Sequence, residues 1–134
     1  MTPPPDEPAP PGRTLLLVED NPDDVELTTR LIEETGDTWH IEVCHRLATA
    51  HERLARGGID VVLMDMSLPD GSGPQAVERT VARAGGVPVI VMTGSVADEV
   101  GLQRAREAGA RDCLWKGQTE AGQLRDVLRK ASAR

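Results

Sequence analysis

The chain of 134 residues has no tyrosine, no phenylalanine and only two tryptophans, Trp39 and Trp115, so that aromatics make up 1% of it. Any core it builds must be filled by aliphatic side chains. Cysteine is as scarce: Cys44 and Cys113 fall far short of a disulfide framework. No apolar run is long enough to cross a bilayer, and the N-terminus lacks the apolar stretch of a secretory signal. A soluble, cytoplasmic protein is expected. Positive charge is in the minority, with 15 Lys plus Arg against 22 Asp plus Glu and a net charge of -7. Such a balance repels nucleic acid and anionic lipid, and neither is an expected partner. No G-x-G-x-x-G or P-loop sequence follows an apolar run, so dinucleotide and NTP binding have no local motif.

What is present fits one globular domain: 39% hydrophobic and 28% charged residues over a common domain length. Residues 1–12 include Pro3, Pro4, Pro5, Pro8, Pro10 and Pro11, which excludes helix and reads as a disordered, extended tail. The folded domain is expected over residues 13–134.

Continuous apolar runs at residues 14–18, 59–64 and 87–92 read as central parallel strands buried on both faces. Weaker strand signals at 40–44 and 111–115 suit the sheet edges. Helical spacing fills the intervals. The first helix has Asn21 as cap, Pro22 at its first position, Asp23 and Asp24 in its first turn, an inner face of Val25, Thr28, Leu31 and Ile32, and Gly36 at its end. Others are expected over 47–56, over 74–84, from a Ser95 cap to Ala108, and around Leu124, Val127, Leu128 and Ala131. Five β-α repeats with short connections predict a doubly wound α/β fold with helices on both faces of a parallel sheet.

Ligands of such sheets gather at the carboxyl ends of the strands. The residues closing the strands are Glu19 and Asp20, Asp65, Thr93 and Lys116. Three acids converging with one ammonium repel each other, and a hard divalent cation with oxygen ligands relieves this. Mg2+ suits a site with few carboxylates and room for water and phosphate.

Four stretches carry a family resemblance: LLLVEDNPDD (15–24), VVLMDMSLPDGSG (61–73), PVIVMTGS (88–95) and AGARDCLWK (108–116). Over residues 14–133 the chain resembles a bacterial response-regulator receiver domain of two-component signalling, and it is read as a stand-alone one. The resemblance implies a flavodoxin-like (βα)5 sheet of strand order 2-1-3-4-5. It also implies a phosphorylation-dependent switch that accepts a phosphoryl group from a sensor histidine kinase. Asp65 resembles the phosphoacceptor; Glu19, Asp20, Asp65 and the backbone carbonyl of Ser67 resemble the Mg2+ ligands; Thr93 and Lys116 resemble the groups that bind phosphoryl oxygens. Such a protein catalyses its own phosphorylation and dephosphorylation and is not a turnover enzyme. Its signal leaves by a conformational change of the fourth helix and fifth strand.

The sequence departs from the family in two places. The family's switch Tyr or Phe, three residues before the lysine, is Cys113 here. Trp115 shares a strand face with Cys113, and it either supplies part of the output surface or packs against a helix. Gly117 stands where many receivers have a cis proline, so a trans peptide and a more mobile Lys116 are expected. Ser67 and Ser95 carry no general base and say nothing of phosphate lifetime. With the expected strand order, Cys44 and Cys113 occupy opposite sheet edges, about 19 Å apart, too far for a disulfide. His40, His45 and His51 are expected in surface or packing roles.

Two other readings compete. An aspartyl-phosphate phosphatase would want a second Asp at position 67, where Ser67 stands. A degenerate, phosphate-independent interaction module would not be expected to retain all five site residues. The run NPDD followed by VELT resembles small stand-alone receivers that serve sensor kinases, phytochrome-type ones among them. Output would pass to an unknown downstream protein, along a phosphate relay, or through a homodimer.

Overall fold

The computed structural model describes residues 13–94 and 99–133. In chain order its elements are β1 (Thr14–Val18), α1 (Pro22–Glu34), β2 (His40–Cys44), α2 (Leu47–Ala55), β3 (Val61–Met64), β4 (Ser67–Leu68) and β5 (Gly71–Ser72). They continue with α3 (Gly73–Ala84), β6 (Val89–Thr93), α4 (Glu99–Glu107), β7 (Asp112–Trp115) and α5 (Ala121–Ser132). Five strands form one parallel sheet in the order β2-β1-β3-β6-β7. Counted within that sheet alone, this is the expected order 2-1-3-4-5. The small antiparallel pair β4–β5 was not foreseen; its two-residue strands are too short for a periodic signal, and only the Pro69-Asp70 turn marks it.

The side-chain period of two divides the aliphatic residues between two cores. Leu15 and Leu17 join Val61, Leu63, Ile90 and Met92 under α1 and α5, with Ile32, Leu124 and Leu128. Leu16 and Val18 join Val62, Met64, Val89 and Val91 under α2, α3 and α4, with Leu47, Leu54, Val77 and Ala105. Trp39 is the one aromatic inside, and Cys113 fills a core position as a small apolar side chain. Both cysteines are free and stand on opposite edge strands, as expected. None of the described helices is long and apolar enough to cross a membrane.

Local signals explain most element ends. Asn21 Oδ1 accepts from the amides of Asp23 and Asp24 and starts α1; Gly36, at φ +83°, lets the chain leave it. Pro88 has no N–H to give the ladder, so β6 begins at Val89, two residues after its apolar run does. The chain still bends at Asp60, which moves the start of β3 to Val61. The described part of α4 starts at Glu99, and the Ser95 cap lies outside the described residues, as does the 1–12 tail.

Candidate functional site

The carboxyl ends of β1 and β3 are neighbours in the sheet, and the ladder continues one residue beyond each: Glu19 N donates to Cys44 O at 2.9 Å, and Asp65 N to Val18 O at 3.0 Å. This holds the Glu19 and Asp65 side chains side by side, 2% and 9% exposed, with Asp20 on the open side. One carboxylate oxygen from each of Glu19, Asp20 and Asp65 lies within 4.8 Å of the others. Thr93 is buried at the end of β6, where its carbonyl accepts from Lys116 N at 2.8 Å. That bond turns Lys116 back over the site. Its Nζ stands 2.6 Å from Glu19 Oε2, 3.0 Å from Asp24 Oδ2 and 3.4 Å from Asp65 Oδ1.

Charge and burial oppose each other here. Burial pushes the Asp65 carboxyl above its ordinary value, against the charge and hydrogen bond of Lys116 and the amides of Ser67 and Met66. Burial likewise raises Glu19, and the charge of Asp65 adds to it, against hydrogen bonds from Lys116 and the Asn21 amide. For Lys116, burial is the largest single influence and pulls downward. Hydrogen bonds to Glu19 and Asp24, with the charges of Asp65 and Glu19, together leave its ammonium above the ordinary value. One fixed cation, Lys116, thus faces three carboxylates, Glu19, Asp24 and Asp65, and Asp20 lies beside two of them.

The donor set fits a hard divalent ion. Ligand oxygens of an octahedral Mg2+ stand about 3–4 Å apart, so the acidic group needs only side-chain adjustment to share one. Carboxylate oxygens without a sulfur or imidazole ligand disfavour zinc and copper.

All five residues expected at the strand ends meet here. Lys116 differs from expectation in being held: its side chain is 17% exposed and touches three carboxylates, although the Lys116–Gly117 peptide is trans as anticipated. Asp24 was missed; its position in the first turn of α1 signals only favourable charge at a helix start. His45 comes closer than anticipated, with Nδ1 3.0 Å from the Glu19 carbonyl oxygen. His51 is buried, its Nε2 3.0 Å from Thr80 Oγ1. His40 stays at the surface. Cys113 Sγ lies 3.8 Å from the Leu102 carbonyl of α4. Trp115, on the same strand face, is half-buried and lines an open groove of about 490 Å³ with Glu99, Leu102, Gln103, Arg106 and Glu107. Ser95 lies outside the described residues.

Comparison with known proteins bears on this geometry. Residues 15–129 match the model of the response regulator receiver domain. The chain is 32% identical over 102 residues to the swarming motility regulation protein RssB of Serratia marcescens, covering 76% of this chain and 45% of that protein. It is 35% identical over 118 residues to the response regulator protein PilR of Pseudomonas aeruginosa, covering 87% of this chain and 25% of that one. The chain therefore spans less than half the length of either relative. Among solved structures, the receiver domain of the sensor histidine kinase PA1611 of Pseudomonas aeruginosa superposes with a TM-score of 0.76 at 25% identity, over 92% of this chain and 99% of that one. It holds a magnesium ion in its active site cleft. A response regulator receiver domain protein of Clostridium thermocellum superposes with a TM-score of 0.76 at 23% identity, over 90% and 94% of the two chains, and shares the fold.

Proposed function

The chain belongs to the response regulator receiver family, and from that premise we propose that Asp65 accepts a phosphoryl group from the phosphohistidine of a sensor histidine kinase in a Mg2+-dependent reaction. The observation that carries this reading is the excess of buried carboxylate over cation at the strand ends, with Asp65 at its centre.

A carboxylate is a weak nucleophile toward phosphorus, so rate must come from alignment and from positive charge on the transferring oxygens. Lys116 Nζ stands 3.4 Å from Asp65 Oδ1, which leaves the other carboxylate oxygen to attack in line. An Asp65 O–P bond forms as the N–P bond of the donor breaks; the histidine nitrogen keeps the electron pair and takes up a proton. Lys116 and Thr93 bind the equatorial oxygens, Lys116 by exchanging a carboxylate for a phosphoryl oxygen. Glu19, Asp20, Asp65 and the Ser67 carbonyl would hold Mg2+, which neutralises charge on the phosphoryl oxygens. Water later cleaves the acyl phosphate, so the chain turns over only its own phosphate and acts as a cytoplasmic switch.

Phosphate at Asp65 draws Thr93 inward and shifts α4 and β7 between two packings. With Cys113 in place of an aromatic ring, the half-exposed Trp115 is the large side chain on that surface, facing a downstream protein or a second copy. Incubation with acetyl phosphate and Mg2+, followed by mass spectrometry, tests the reading. One phosphoryl group on Asp65 in the wild type and none in Asp65→Asn supports it. No adduct means a phosphate-independent module, and sustained release of phosphate means a phosphatase.

A further inference from the structure

The loop leading from Asp65 to α3 is fastened to a helix that gives the site no residue. Asp70 stands in the turn between β4 and β5, and its carboxylate oxygens accept from the amides of Leu47 at 2.8 Å and Ala48 at 2.9 Å. Those amides open α2, whose own N-cap residue, Arg46, makes no side-chain capping bond. Helix-start amides need an acceptor, and a carboxylate there also meets the positive end of the helix dipole. The Ala48 amide, ahead of the Leu47 amide, holds the Asp70 carboxyl below its ordinary value despite some burial.

The seat is tight as well as polar. A Cβ on Gly71 would stand 2.5 Å from Leu47 Cδ1, so this strand lies directly on the first residue of α2. Gly73 N donates to Met66 O at 2.8 Å and closes the 66–73 loop into one unit. That unit begins at the residue after Asp65 and carries Ser67, whose carbonyl is an expected Mg2+ ligand. A second tie joins the same region to the site: His45, two residues before α2, contacts the Glu19 carbonyl.

We propose that Asp70 is a positioning residue of the phosphoacceptor pocket: by capping α2 from a distance it fixes the 66–73 loop against Asp65, and it couples the start of α2 to what the pocket binds. This rests on the phosphoacceptor reading for its consequence and on the capping geometry for its cause. Coupling of this kind is reciprocal, so an occupied pocket must in turn steady the first turn of α2.

The test uses the full chain as wild type, Asp65→Asn, Asp70→Ala and Glu52→Gly. Glu52 is exposed within α2 and outside the site, so Glu52→Gly weakens the helix without touching the cap. Asp70→Ala is expected to weaken Mg2+ binding about tenfold by calorimetry, the size of effect seen when groups supporting a metal ligand are lost. It is also expected to slow phosphoryl uptake from acetyl phosphate by a similar factor. Glu52→Gly lowers the melting temperature and leaves Mg2+ affinity alone. Wild-type Mg2+ affinity in Asp70→Ala, or an equal loss in Glu52→Gly, overturns the proposal. Hydrogen exchange on the wild type needs no variant to fold: Mg2+ with beryllofluoride should slow exchange at the Leu47 and Ala48 amides more than at the first turn of α5, and equal effects overturn the coupling. A wild type that binds Mg2+ but never gains phosphate refutes the phosphoacceptor reading alone, and the Mg2+ affinities still decide the role of Asp70.

Discussion

Carboxylates at the edge of this molecule and carboxylates at the ends of its strands are the same chemical groups held in opposite states. At the periphery Glu42 and Asp37 each have a matched cation. Glu42 receives two bonds from Arg53, at 2.7 and 2.9 Å, and Asp37 two from Arg129, both at 2.7 Å. The guanidinium hydrogen bonds hold both carboxyls below their ordinary values. At the strand ends burial raises Asp65 and Glu19, and one ammonium serves all the carboxylates around it. The paired edge is complete as it stands. The site is electrostatically incomplete, and that incompleteness is what a cation and a phosphoryl group can use.

Removing the nucleophile should separate the two regions most strongly. Asp65→Asn should abolish phosphoryl uptake from acetyl phosphate, as read by intact-protein mass spectrometry, while Arg53→Ala takes up phosphate at the wild-type rate. Next in size, Lys116→Ala should slow uptake by about 10²–10³-fold, the usual loss when one preorganised charge donor leaves a transition state. A loss no larger than that of Arg53→Ala would mean that the ammonium only balances charge at rest.

Stability against pH separates the two regions by sign. Folded Asp65 and Glu19 hold protons more tightly than they do unfolded, so their contribution falls as pH rises above about 4, near their ordinary values of 3.8 and 4.5. Asp37 and Glu42 do the reverse: their stabilisation is full above 3.8 and 4.5 and is lost as pH falls below those values. Without Mg2+, denaturation midpoints should show Asp65→Asn more stable than wild type by a margin that grows from acid to neutral pH. Added Mg2+ should reverse the order, because wild type alone has the full ligand set. The smallest effect is expected at the edge, where Arg53→Ala should cost about 0.5–1 kcal/mol in chemical denaturation, independently of Mg2+.

The parts of this picture that sequence reveals are those fixed by chain-local rules. Glu19, Asp65, Thr93 and Lys116 are legible because each ends a strand, and parallel strands bring their ends to one side. The two-faced aliphatic runs likewise declare the sheet, and Cys44 and Cys113 fall on its edges as the strand order requires. Asp24 and Asp70 are not legible. Their partners, Lys116 and the amides of Leu47 and Ala48, lie 92 and 22–23 residues away, and which side chain meets which depends on how the loops and helices settle on the sheet. Gly117 predicts a mobile Lys116, and its sequence neighbourhood gives no sign that the ammonium stands within 3.4 Å of three carboxylates.

Mg2+ calorimetry at neutral pH tests the incompleteness of the site most directly. One ion should bind per wild-type chain, with binding lost in Asp65→Asn and unchanged in Arg53→Ala. Absence of binding to the wild type, or equal affinity in Asp65→Asn, would contradict the account.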